Sequence, residues 1–301
     1  MESGDYHKTI RKKEDVGTHG SVESLKFTPD GKYIVCAAKK NVEIWDIDSG
    51  SQIKKIKATK MPFCWIDVAI SPDGQYIIAG IEYFKVKVWE FSSGNLLWKE
   101  TTRGQVLKVD VSVDGKYVVG VTGRYRIHTW DLLTGERIDS FKTRGYSERL
   151  ALSPDNNYIV YSSSKKAIYI RDISSRTIIR ELKTKKMGHI NSLVISPDMK
   201  YVIGGSSNKL IHIWDFSTGE KITTLDGHGD RVRSLAITPN GKYLVSGSWD
   251  NRIKIWDLPS GQLARTLTGH EGWVDTVAVS PDGKHIASGS TDKTIKIWDL
   301  P

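Results

Sequence analysis

Hydrophobic residues in this chain gather in short runs rich in Val, Ile and aromatic side chains, each cut off by a polar turn, and nowhere recur at helical spacing. That pattern predicts many short β-strands and no helix. In its clearest stretch the order is VDTVAVS (274–280), the turn PDG, HIASGS (285–290), the turn TDK, then TIKIWDL (294–300). One unit earlier a further polar turn, PSG, leads into a fourth strand, QLARTL (262–267). The string IKIWDL occurs twice, starting at Ile253 and at Ile295.

The same order fills nearly the whole chain. Relatives of SPDG begin at Thr28, Ser71, Ser112, Ser153, Ser196, Thr238 and Ser280, and each is followed by a relative of IWDL. Successive copies lie 41 to 43 residues apart, which makes seven units of about 42 residues. Ser-Pro-Asp-Gly suits a tight turn, because Pro presets φ at the first central position and Gly can follow at positive φ. Four strands in every unit predict seven four-stranded antiparallel sheets. One such sheet cannot bury both of its faces alone, so seven of them, packed radially face to face, close into a ring. The expected fold is therefore all-β: residues 1–301 as a single seven-bladed propeller. The last unit supplies three strands, and residues 6–13 stand where every other unit has its outer strand. Residues 1–13 are therefore expected to pair with the strand carrying Trp298 and to close the ring, which removes an open sheet edge.

Composition adjusts this picture at the margins. The apolar (39%) and charged (26%) fractions are those of a globular protein. No apolar run is long enough to cross a membrane as a helix, and the N-terminal residues lack the apolar core of a signal peptide. Cys36 and Cys64 are too few for a disulfide framework or a structural zinc site and are expected to pack inertly in strands. A reducing, cytoplasmic setting is the simplest expectation. The formal charge of +9 tilts the protein toward acidic partners. Lysine-rich runs at 11–13, 39–40, 54–60, 165–166 and 183–186 fall in several cases on outer strands, where they guard against edge-to-edge pairing. Binding of nucleic acid or anionic phospholipid is the alternative use of the same charge.

At the level of motifs the sequence resembles the WD40 family over its full length, through Gly227-His228, Gly269-His270 and the Trp-Asp pair or its variant that closes each unit. The resemblance implies a β-propeller that serves as a platform for protein–protein interaction rather than for catalysis. It also implies a hydrogen-bonded tetrad of His, Ser or Thr, Asp and Trp. Two units match it: His228, Ser246, Asp250 and Trp256, and again His270, Ser288, Asp292 and Trp298. The other five read Lys39, Tyr83, Arg124, Lys165 and Asn208 at the Asp position, and Arg171 replaces the Trp of the fourth. The first five blades are therefore expected to rely on packing. The phosphoinositide-binding motif of some propellers, Phe-Arg-Arg-Gly, is not carried over, since TRG at 102–104 and 143–145 lacks its second Arg.

Ser, His and Asp together also suit a hydrolase. Here the trio recurs twice at repeat spacing, which fits a structural role and not a single active site. No catalytic residue is expected. The eight histidines show no metal-ligand spacing and no phosphate loop is present, so neither metal nor cofactor is expected. An enzyme would need perturbed titratable groups clustered at the channel mouth.

The resemblance places partner docking on the top face around the channel. The exposed positions there flank the first core residue of each unit's first strand, or precede the tetrad Asp. They are Arg231, Arg233 and Trp249 in the sixth unit, Trp273, Asp275 and Thr291 in the seventh, and Tyr146, Glu148, His189 and Asn191 in the fourth and fifth. Trp249 and Trp273 stand out because their siblings, such as Ala38, Gly123, Ser164, Ser207, Ser21 and Gln105, are small or polar. Two tryptophans beside two arginines suit a short acidic segment with one apolar anchor, bound by a monomeric propeller.

Overall fold

Seven four-stranded antiparallel sheets stand in a ring, and each is built from consecutive strands ordered from the channel outward, except the last. The structure is a computed structural model and describes residues 6–11, 21–61, 66–81, 84–123, 125–183, 188–258 and 260–301. Cys64, and the Asp-position residues Tyr83 and Arg124, lie outside the described residues. Counted from the first inner strand, the blades span 22–57, 66–101, 106–142, 150–183, 190–225, 232–267 and 274–299. The last blade takes its outer strand, Tyr6–Arg11, from the other end of the chain.

The sheets form where the apolar runs predict them, and the turns follow from the repeated tetrapeptide. In blade 7, Ser280 Oγ donates to Asp282 Oδ1 at 2.6 Å and accepts from the His285 N–H at 2.9 Å, while Gly283 sits at φ 70°. Asn156 and Met199 take the same left-handed conformation where two units lack the glycine, a strained position for Met.

Each blade buries both faces against its neighbours. Val245, Ile253 and Ile255 of blade 6 interlock with Val274, Val277, Ile286 and Trp298 of blade 7. A fully buried aliphatic side chain of this kind contributes about 1.5–3 kcal/mol. The inner strands depart from simple alternation. In blades 1, 3, 5, 6 and 7 the register shifts by one residue near the strand start, as between Val232 and Ser234. This β-bulge places apolar residues three apart on the same side. Val274 and Val277 both approach the backbone of Gly247 on the blade before, so closely that an added Cβ would lie 2.7 and 2.9 Å from their methyl groups. Blade 4 differs: its inner strand, Leu150–Leu152, has three residues and pairs without a shift.

The ends of the described chain meet in blade 7. Ile10 pairs with Ile295 and is 1% exposed, and Val22 of blade 1 packs against Gly289 of blade 7.

Candidate functional site

The inner strands carry a polar ring that the sequence reading did not find. One repeat position reads Ser24, Asp67, Lys108, Arg149, Ser192, Ser234 and Thr276. Five of these side chains accept a hydrogen bond from the backbone of the next blade. Ser24 accepts from Val68, Asp67 from Val109, Ser192 from Leu235, Ser234 from Val277, and Thr276 closes the circle from Leu25, at 2.9 to 3.3 Å. The two cations have no lone pair to offer. At blade 3 the acceptor role passes to Asp110, which takes the Leu152 N–H at 3.3 Å, while Lys108 pairs with Asp67 at 3.1 Å. At blade 4, Arg149 donates instead to the carbonyl of Asn191. Hydroxyls at one repeat position in four of the seven units, Ser24, Ser192, Ser234 and Thr276, were the signal available in the sequence.

The ring encloses a channel cavity of about 250 Å³ with a dense set of charges. Burial, reinforced by nearby Lys108, brings the Lys26 ammonium below its ordinary value. Burial and the neighbouring Arg233 bring Arg149 down to about 10. Burial raises the Asp275 carboxyl, against the opposing pull of Arg233 and the Trp249 indole. A perturbed titratable cluster therefore does exist, but its members largely bridge blades: Arg149 donates to the Asn191 carbonyl of blade 5, and Arg233 approaches Asp275 of blade 7. Among the described residues no group of His, Cys, Asp and Glu is arranged to hold a metal ion.

The two complete tetrads sit in blades 6 and 7. His228 reaches Asp250 and Ser246 at 2.8 Å each, and the Trp256 indole N–H donates to Ser246 Oγ at 2.8 Å. In blade 7 His270 contacts Asp292 and Ser288, and Trp298 donates to Ser288, each at 2.7 Å. Each chain of bonds ties a loop between blades to the second and third strands. In blades 1, 3 and 5 the indole N–H groups of Trp45, Trp130 and Trp214 are buried with no hydrogen-bond partner among the described residues. In blade 4 the Arg171 guanidinium takes the Trp place, stacks 3.9 Å over Phe141 and approaches Asp139 at 4.0 Å.

On the face where these loops lie, Trp249 and Trp273 stack at 4.4 Å with planes 16° apart. Trp273 is 47% exposed, and the Trp249 indole N–H donates to Asp275 at 3.0 Å. The guanidinium of Arg231 lies 5.1 Å from the Trp249 ring and that of Arg233 5.7 Å. The expectation that all these positions are exposed is corrected here. The side chains of Arg233 and Asp275 are 17% and 8% exposed and approach one another at 3.8 Å, because the bulge turns that position into the channel where seven strands converge. Arg231 and Trp273 remain open to solvent. Tyr146, in the fourth unit, meets Tyr125 edge-on at 6.2 Å. His189 is exposed on blade 5, its backbone N–H donating to Ser207, and Asn191 donates to the Val232 carbonyl at 3.1 Å.

A ring of seven sheets, pinned by a tetrad in two of them, defines a β-propeller of the repeat type. The WD domain, G-beta repeat family matches residues 10–46, 178–215, 219–257 and 261–299, together half of the chain, and the protein belongs to that family. The two tetrads lie inside the last two matched segments. Over 75 residues the chain is 33% identical to the serine-threonine kinase receptor-associated protein of Dictyostelium discoideum. That match spans 25% of each chain. No helix among the described residues is long and apolar enough to cross a membrane.

Proposed function

We propose that the protein is a non-enzymatic scaffold, working as a single cytoplasmic propeller, that docks a short acidic segment of a protein partner on the face carrying Trp249 and Trp273. The observation that carries this reading is the stacked indole pair, whose outer ring is half exposed beside the solvent-facing Arg231. Large flat apolar surface next to a bidentate cation is the composition that dominates interface energetics. Asp275 and Arg233 hold Trp249 from beneath, so the shelf is rigid before a partner arrives. Family membership, and a relative named for its association with a kinase receptor, support a role in assembly.

The test compares partners captured by the wild-type chain with those captured by the Arg231→Ala, Trp273→Ala double variant. Arg233 is left intact because it is built into the channel. We expect loss of a defined partner, by about 2 kcal/mol or more, with the melting temperature nearly unchanged. Unchanged capture of every partner would overturn the reading. Retention on heparin or DNA that survives the double substitution and falls steeply with salt would favour the anionic-polymer alternative.

A further inference from the structure

Blade 2 lacks the tetrad, and Ala79 and Trp89 are packed into the core instead. By repeat spacing its positions corresponding to His228, Ser246 and Trp256 hold Met61, Ala79 and Trp89. Ala79 has no hydroxyl to link a loop residue to the indole, and Met61 is 40% exposed rather than tucked in. Nearby, a pocket of about 530 Å³ lies between residues 57–61 and Ile81, Phe84 and Lys85. Its apolar lining comes from Ala58, Met61, Ile81 and Phe84, the last 41% exposed. Met61 and Phe84 are the repeat counterparts of His228 and Asn251, so the pocket opens on the same face.

The rim is cationic. Lys57, Lys60, Lys85 and Lys87 line the pocket, and among the described residues no carboxylate lies within ion-pair distance of the first three. The Lys87 position shows that this charge is not neutralised internally. Its counterparts, Lys254 and Lys296, each face a Thr across the outer strand and donate to it, at 3.1 and 3.3 Å. Lys87 faces Lys99 instead, and its ammonium donates to the Ala58 carbonyl beside the pocket at 2.7 Å. Like charges directly opposed across a sheet destabilise it. Burial, then Lys85 and Lys99, lower the Lys87 ammonium below its ordinary value.

We propose that this pocket is a second docking site, which takes one apolar side chain of an acidic peptide while the flanking carboxylates pair with the lysines. The charge fixes the sign of the partner and the concavity fixes its shape. A bilayer presents a broad layer of headgroups and would leave such a recess unfilled, whereas a single side chain enters it. The site is separate from the indole shelf and stands or falls without it.

The probe is a labelled seven-residue peptide with a central Phe between two runs of three Asp, titrated against the full chain by fluorescence anisotropy. We expect Lys57→Glu with Lys60→Glu, both exposed positions, to weaken binding at least roughly tenfold, and replacement of the central Phe of the peptide by Ser to do the same. The Arg231→Ala, Trp273→Ala variant keeps the wild-type affinity within about twofold, which separates this site from the shelf. Equal binding by wild type and the charge-reversed variant overturns the proposal, as does indifference to the Phe. Binding of the wild type to vesicles containing phosphatidylserine, with no peptide binding, also overturns it in favour of a lipid surface.

Discussion

Blades 6 and 7 and blades 3 and 5 place a tryptophan at the same point of the same strand, yet solve its polar edge in opposite ways. In blades 6 and 7 the indole N–H ends on a serine that also meets a histidine and, through it, an aspartate. In blades 3 and 5 the serine position is Gly120 or Gly204, and the indole slides toward the space so vacated. An added Cβ would stand 3.0 Å from the Trp130 ring and 3.3 Å from that of Trp214. A histidine on the same strand packs beside each indole, His128 at 5.4 Å and His212 at 5.6 Å. One pair of blades closes by hydrogen bonds, the other by contact area. The lesson is that the repeat specifies a volume to be filled. The network is one filling and close packing is the other.

The largest effect should come from removing a tetrad indole. Trp256→Ala leaves a cavity against Gly227 and also strips Ser246 of its donor, so it should cost about 3–5 kcal/mol in urea unfolding. Hydrogen exchange should accelerate first in blades 6 and 7. A loss under 2 kcal/mol, roughly the cost of cavity relaxation alone, would mean that the network adds nothing to the packing.

What the sequence made legible follows the same division. Strand order, turn chemistry and the two tetrads could be read because each depends on residues at fixed separations within one unit. The channel ring could not be read that way. Ser24 and Val68, or Ser234 and Val277, belong to different blades, and their meeting depends on the bulge that reverses the facing of the inner strand. Strict alternation from Val232 would send Ser234 into the core and Arg233 to the surface, whereas the structure turns Arg233 into the channel. Arg233 and Asp275 are expected to be exposed because they flank the first core residue, a rule that takes no account of the bulge. The indole pair was legible as two outsized residues at positions otherwise small or polar, but its stacking and its anchor to Asp275 required the geometry.

A second, smaller effect separates the blades by pH. Burial first, then nearby Arg137 and Arg126, lowers His128 to about 4, and burial, then Lys221, does the same for His212. The ordinary value is 6.5. Between these limits the unfolded chain binds protons that the folded chain refuses, so stability falls as pH drops from 6.5 toward 4. The tetrad acids behave differently. Burial pushes Asp250 and Asp292 up, but the hydrogen bonds from His228 and His270 and the neighbouring donors outweigh it and hold both below the ordinary 3.8. Their contribution is present above 3.8 and lost as pH falls further. At pH 5 blades 3 and 5 should therefore loosen while blades 6 and 7 hold. Allowing for solvent screening, the pair of histidines should account for about 2 kcal/mol between pH 7 and 5. His128→Gln with His212→Gln should flatten that slope. An unchanged slope would show that the imidazoles accept protons in place.

The smallest effect is the sharpest test of the comparison. Trp298→Phe and Trp214→Phe delete the same atoms from the same repeat position, so the packing loss is similar in both. They differ at one hydrogen. In blade 7 the deleted N–H donates to Ser288, whose hydroxyl is also held by His270 and stays buried after the change. Its removal weakens a network that is otherwise complete. In blade 5 the deleted N–H has no partner among the described residues and sits in a buried, apolar setting, so its removal relieves a cost that the wild type already bears. Trp298→Phe should therefore be more destabilising than Trp214→Phe by about 1 kcal/mol. Both are measured by urea unfolding at pH 7, where His212, packed beside the blade 5 indole, is neutral. If the two variants are equal, an indole N–H in this fold is indifferent to its partner, and blades with and without the tetrad are held by packing alike. If the order is reversed, the strain of seating the tetrad exceeds what its bonds return.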